Sequence, residues 1–193
     1  IKTPTMWFMW VAYALGTSAG LMVISQLVPF ARSVGHPIEL ATTAIFVGAL
    51  GNASGRILSG WMSDALGRLN VLRLMIGISA VAMPILYYAG PNVVMLFILI
   101  YVIYWCYGSQ LSVNASSAAD FWGPKNVGAN YGILFTAWGV AGVIGPIIGG
   151  RLFDIYKDYR VAFFTAGVIC AVALVFELIA RRPTEPVGAQ VKA

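Results

Sequence analysis

The sequence predicts an all-α membrane protein of six transmembrane helices, on three observations. Hydrophobic residues fill 60% of 193 positions and charged residues 10%, and mean hydropathy is +0.83, far from the usage of a soluble domain. The apolar residues gather into six runs, each close to the ~20 residues that cross a bilayer as a helix. Turn-forming and charged residues punctuate the gaps.

The first span is placed near residues 6–30 and ends at Gly35, His36 and Pro37; the second, near 39–62, ends in the stretch from Asp64 to Asn70. The third, near 70–89, stops at Gly90, Pro91 and Asn92, and the fourth, near 93–118, at the stretch from Asp120 to Gly128. The fifth and sixth lie near 129–151 and 161–180, separated by Asp154 to Arg160. Residues 1–182 therefore form one transmembrane bundle and 183–193 a tail. The first span is too long for a signal peptide and lacks a small-residue cleavage site. Because the chain opens on Ile1, more polypeptide is expected upstream.

With the start of the chain in the cytosol, Lys2, Arg68, Arg73, Lys125, Arg181, Arg182 and Lys192 are cytosolic and Arg32, Arg151, Lys157 and Arg160 external. That asymmetry favours this orientation and makes 183–193 a cytosolic tail. The same cations account for the net charge of +5, so nucleic acid is not the expected partner; the lipid bilayer is. Cys106 and Cys170 lie 64 residues apart in apolar segments, which fits packing and matches no metal or redox motif. No metal or cofactor is expected.

Arg56 stands inside the second span with no acid within seven positions on either side. A cation at that depth costs roughly 2.5 to 3.5 kcal/mol on insertion scales and normally faces a polar cavity or a partner charge. An anionic substrate would supply the charge. The rival is snorkelling to the near interface, about 12 Å away at Asp64. Helical side chains lean toward the N-terminus, which on this span points away from that interface. Asn52 lies one turn earlier on the same face, and the pair offers several donors to one cavity. A guanidinium matches a carboxylate through two parallel hydrogen bonds, which suits a small organic acid. For Asn52 alone, a helix-to-helix hydrogen bond is the competing role.

Tyr107, Gln110, Asn114 and Ser117 recur at helical spacing on the fourth span, so that stripe must face protein or water. Tyr107 can donate its hydroxyl to a carboxylate and Gln110 can serve the same cavity, with polar packing between helices as the alternative. Cys106 and Leu111 border the stripe as an apolar wall. The fifth span is rich in glycine, at 128, 132, 139, 142, 145, 149 and 150, with Pro146 among them. Such a surface permits close backbone approach, either for rocking or for static packing.

Gly60, Asp64, Gly67 and Arg68, in GWMSDALGRLNVLRL, resemble the G-x-x-x-D-x-x-G-R loop of the major facilitator superfamily, found between the second and third helices of each six-helix half. The resemblance implies that this loop braces helices on the cytosolic side, with Asp64 acting near the N-terminus of the fifth span, where a helix dipole favours an anion. The segment TPTMWFMWVAYALGTSAGLMVISQLVPFARSVG, the stretch from Asn52 to Arg68 and the NYG of Asn130 to Gly132 are similar to the C-terminal half of oxalate:formate antiporters and of bacterial monocarboxylate (L-lactate) transporters. The implied fold is the C-terminal half of a twelve-helix protein in the bacterial inner membrane. The implied function is transport of a small monocarboxylate with protons by alternating access, with the N-terminal half as partner.

Departures from the relatives refine that expectation. Oxalate:formate antiporters carry a substrate lysine on the fifth span where this chain has Trp138. A single cation pairs a monocarboxylate and leaves a dicarboxylate half compensated. By resemblance Phe135 forms a wall against the substrate's methyl group, while Trp138 is assigned to the core. Animal monocarboxylate transporters have an aspartate where this chain has Asn52, which does not titrate. Glu177, the acid within a span, is read as a surface ion pair with Arg181, its i+4 neighbour. The proton is then expected on an N-terminal-half residue or on the bound acid. An enzyme is not expected, because the single histidine, His36, sits in a loop beside Pro37 with no nucleophile at telling spacing. An anion channel or structural subunit remains the reading from another class.

Overall fold

The computed structural model describes residues 3–183; Lys2, Lys192 and nearly all of the expected tail lie outside them. Six long helices account for most of the described residues: α1 (Pro4–Ser33), α2 (Ile38–Leu66), α3 (Arg68–Ala89), α4 (Val93–Trp122), α5 (Val127–Tyr156) and α6 (Tyr159–Ile179), with a short 3₁₀ turn at Pro124–Asn126 before α5. The helices match the six spans and overrun most of them by a turn. α1, α3, α4, α5 and α6 are long and apolar enough to cross a membrane. α2 has the length, at 29 residues, but Glu39, Asn52, Arg56 and Asp64 lower its hydropathy.

Consecutive helices run in opposite directions, and cross-links at each end show it. At one end Thr5 Oγ1 donates to the Arg181 carbonyl at 2.8 Å and Trp122 Nε1 donates to Thr3 Oγ1 at 3.0 Å. At the other, His36 Nε2 lies 2.8 Å from the Gly90 carbonyl and Tyr87 donates to Asp158 Oδ2 at 3.2 Å. The chief packing pairs are α2 on α4, α4 on α3, α3 on α6, α6 on α1 and α1 on α5. Among the described residues α2 makes no close backbone approach to α5 or α6. α1 and α4 meet across the gap, which leaves a face flanked by α2 on one side and α5 on the other.

The core divides in two along the helices. One cluster surrounds Phe30, whose ring meets Phe163 edge-on at 4.7 Å. The second surrounds Met6, Met9, Tyr13, Met75, Tyr107 and Trp122. Cys106 and Cys170 are buried free thiols, one in each cluster, as expected of packing residues. Phe46, Ile57 and Trp61 of α2 are 66%, 75% and 73% exposed, so α2 presents its apolar side outward.

The break expected across Asp64 to Asn70 is a single residue. α2 runs through Leu66 and α3 begins at Arg68, with Gly67 between them at φ 87°. With ψ at 144°, this positive-φ extended backbone is open to glycine and strained for other residues.

Candidate functional site

Small residues set the position of Arg56. Gly48, Gly51, Gly55, Ser59 and Ser63 form the buried stripe of α2, and a Cβ added at Gly51 or Gly55 would collide with the Tyr101 or Trp105 carbonyl of α4. Across the seam, a Cβ at Gly108 would strike the Asn52 carbonyl. The two backbones therefore meet directly. Ser112 Oγ donates to the Arg56 carbonyl at 2.9 Å and Ser109 Oγ to the Gly55 carbonyl at 3.3 Å. Both bonds fix this turn of α2.

The Arg56 side chain is exposed and its Nε donates to Asn52 Oδ1 at 3.0 Å. Among the described residues the ion pairs belong to Arg68, so Arg56 has no resident carboxylate. Neither terminal nitrogen of the guanidinium donates a hydrogen bond there. Asn52, expected to share a cavity with Arg56 or to bond another helix, has its Oδ1 on Arg56 Nε, and among the described residues its side chain makes no hydrogen bond to another helix.

Tyr107 is 6% exposed, its ring seated on Gly20 of α1, where a Cβ would come within 3.0 Å. Trp138 Nε1 donates to its hydroxyl at 2.6 Å. A phenol that accepts this bond keeps its own hydrogen to give. Phe135 stacks on Trp138, centroids 5.0 Å apart and planes 10° from parallel, and lies 5.3 Å from Tyr131. Tyr131, Phe135 and Trp138 thus make an aromatic wall on α5, continuous with the Tyr107 cluster. Trp138 was assigned to the core; it is half-buried and its indole N–H is committed to the site tyrosine.

Two expectations are corrected for this conformation. Gln110 is 1% exposed and its Oε1, which has no hydrogen-bond partner among the described residues, would lie 2.5 Å from a Cβ at Gly16. It fills the α1–α4 seam, because Gly16 leaves a hollow there, and is sealed from the face that carries Arg56. Asn114 donates to the Gln110 carbonyl one turn back on α4 at 2.8 Å, a bond within the helix and not between helices. Asp64 does not reach α5: its carboxylate pairs with Arg68 at 2.6 Å, and Arg68 Nε reaches Asp120 Oδ2 at 2.8 Å. The Gly60, Asp64, Gly67 and Arg68 segment therefore ties α2 and α3 to the end of α4, with Arg68 Nη1 also on Ser63 Oγ. Arg68 is half-buried, 16% exposed against 65% and 41% for its acids, so each pair contributes about 1 kcal/mol or less.

Tyr13 and Tyr131 were not singled out from sequence. Tyr13 is 1% exposed with no hydrogen bond to its hydroxyl, and Tyr13, Tyr107 and Tyr131 all lie within electrostatic reach of Arg56. Nothing in local spacing relates three tyrosines on three helices. The fifth-span glycines also divide: Gly145 and Gly149 pack on Ser18 and Met22 of α1, whereas Gly128, Gly132, Gly139, Gly142 and Gly150 meet nothing within 4 Å. Close packing explains the first pair and not the rest.

A six-helix bundle with one such loop motif on the expected connection is half of a known architecture, and the Major Facilitator Superfamily matches residues 3–193 of the chain. The chain belongs to that superfamily. Similar proteins include the uncharacterized MFS-type transporter YhjX of Escherichia coli (strain K12), 29% identical over 74% of this chain and 36% of that protein. The oxalate:formate antiporter of Oxalobacter formigenes is 24% identical over 100% of the chain and 46% of its own length. Monocarboxylate transporter 14 of Mus musculus is 33% identical over 31% of the chain and 12% of its own length. The chain spans less than half the length of each of these relatives. Its family and its apolar helices make it a multi-pass membrane chain, and the three relatives carry the names of transporters and an antiporter.

Proposed function

We propose that this chain is the C-terminal half of a secondary transporter for a small monocarboxylate of the lactate or pyruvate kind, working with protons by alternating access in the bacterial inner membrane. The observation that carries this reading is Arg56: exposed, steadied by Asn52 and without a resident carboxylate among the described residues. A substrate carboxylate takes the end-on edge of the guanidinium, where Nη1 and Nη2 offer two parallel N–H donors. Tyr107 adds its hydrogen, and Phe135 with its stacked neighbours covers the apolar end of the acid. The second six-helix half closes the face between α2 and α5, and rocking of the halves exposes the acid to either side in turn. No covalent chemistry is needed.

A second reading, exchange of oxalate for formate, draws on the antiporter similar to the whole chain. Trp138 weighs against it, because its indole N–H is held by Tyr107 and carries no charge to balance a second carboxylate. Counterflow in vesicles loaded with lactate, pyruvate, formate or oxalate separates the two. Exchange of monocarboxylates with no response to oxalate supports the first reading, and preferential oxalate exchange rejects it. Steady ionic conductance without saturation would instead mark a channel.

A further inference from the structure

Glu177 was expected on the surface beside Arg181, and the fold buries it. The residue is 2% exposed, its Oε1 has no hydrogen-bond partner among the described residues, and neither ion pair there includes it. α6 turns this position toward α3, where Arg73 is the charged side chain within electrostatic reach. Arg73, however, is occupied by backbone: Nε donates to the Glu177 carbonyl at 3.1 Å, Nη2 to the Ala180 carbonyl at 2.9 Å, and Nη1 to Asn70 Oδ1 at 3.0 Å. The guanidinium caps the end of α6, satisfying carbonyls that a helix terminus leaves open. On the α1 side, Phe8 packs against neighbouring Phe176. No charged group of α1 or α5 comes within reach among the described residues.

An ionised carboxylate in this place is almost wholly removed from water, lacks an ion pair among the described residues and sits in the last turn of α6, where the dipole disfavours an anion. A neutral carboxyl group meets none of these penalties. Immediately outside the Arg73 cap a cavity of about 520 Å³ is lined by Asn70, Arg73, Asp120, Ala180 and Arg181 and does not include Glu177. Arg73 lines that cavity and holds the Glu177 carbonyl through its Nε.

We propose, resting on the transporter reading above, that Glu177 is a proton-binding site of this half: its carboxyl group is neutral while the ends of α3 and α6 are closed and releases its proton when they part. On parting, the carboxyl O–H bond breaks, the proton passes to cytosolic water, and the carboxylate takes the Arg73 guanidinium, freed from the α6 carbonyls, as counter-ion. Closure requires the proton back. Alkaline cytosol therefore favours the parted state, and acid favours closure.

The test uses the full-length transporter in liposomes, comparing wild type with Glu177→Gln and, in case that variant fails to fold, Glu177→Asp. Infrared spectra from about pH 5 to about pH 9 should show a protonated carboxyl band in wild type that Glu177→Gln removes and Glu177→Asp displaces. Lactate counterflow should survive in Glu177→Gln while the pH dependence of net uptake is lost. A spectrum with no protonated carboxyl band that responds to these substitutions overturns the proposal, as does a Glu177→Gln protein with the wild-type pH profile. The infrared result stands even where no monocarboxylate is transported, so it separates failure of this site from failure of the transporter reading.

Discussion

Arg56 donates its Nε–H to Asn52 Oδ1 at 3.0 Å, one turn away on α2. The bond occupies Nε, leaves both terminal nitrogens without a partner among the described residues, and holds the charge without neutralising it. Asn52→Ala should leave the protein folded and raise the apparent KM for lactate by about three- to tenfold, the net effect of one hydrogen bond. Asn52→Asp has a different signature. An ionised aspartate competes with the substrate for Arg56 and a protonated one does not, so uptake should fall more steeply with rising pH than in wild type. An unchanged pH profile in Asn52→Asp would count against the Asn52–Arg56 unit.

Tyr107 receives a hydrogen bond from Trp138 and retains its own proton for a ligand. Tyr107→Phe should weaken monocarboxylate binding by about three- to tenfold with little change in thermal stability. Trp138→Phe keeps the stack on Phe135 and loses the bond, so its effect on KM should be smaller. Equal effects on melting temperature and no effect on binding would make both residues structural.

The α2–α4 seam permits a stability test that ignores substrate. Gly55→Ala forces a methyl group into the Trp105 carbonyl, a backbone atom with no room to yield, whereas Gly139 of α5 faces open space. Overpacking of that kind costs about 1–3 kcal/mol. Thermal melts in detergent should show Gly55→Ala destabilised and Gly139→Ala close to wild type. Equal melting temperatures would contradict the seam.

Gly67 is the single residue between α2 and α3 and holds φ 87°. Gly67→Ala should cost about 1–3 kcal/mol from the positive-φ backbone, and Arg68→Ala should add a loss by releasing Asp64 and Asp120. Differential scanning calorimetry of the two variants checks the order. A neutral Gly67→Ala would mean that the break tolerates another conformation.

The helices were legible because each needs enough apolar residues to cross a bilayer and each gap carries Gly, Pro or charge. Boundaries at Asp64 to Asn70 were less so, since the loop motif stays helical apart from Gly67. Arg56 stood out because a cation in an apolar run has few explanations. Glu177 misled: spacing to Arg181 suggests a surface pair, but which way α6 turns depends on α3, and Arg73 lies 104 residues away. Gln110 misled for a related reason, since the hollow that receives it is made by Gly16 on another helix. Tyr13 and Tyr131 were missed because their shared neighbourhood is a product of three-helix packing. The glycine series 48, 51, 55, by contrast, has in the sequence itself the spacing of a small-residue helix seam.

The central claim is that Arg56 pairs the carboxylate of the transported acid. Uptake of labelled lactate by the full-length protein, in wild type, Arg56→Ala and Arg56→Lys at matched expression, tests it most directly. Arg56→Ala should abolish uptake and Arg56→Lys should restore little, because an ammonium lacks the bidentate fork. Uptake by Arg56→Ala at the wild-type rate and KM would contradict it.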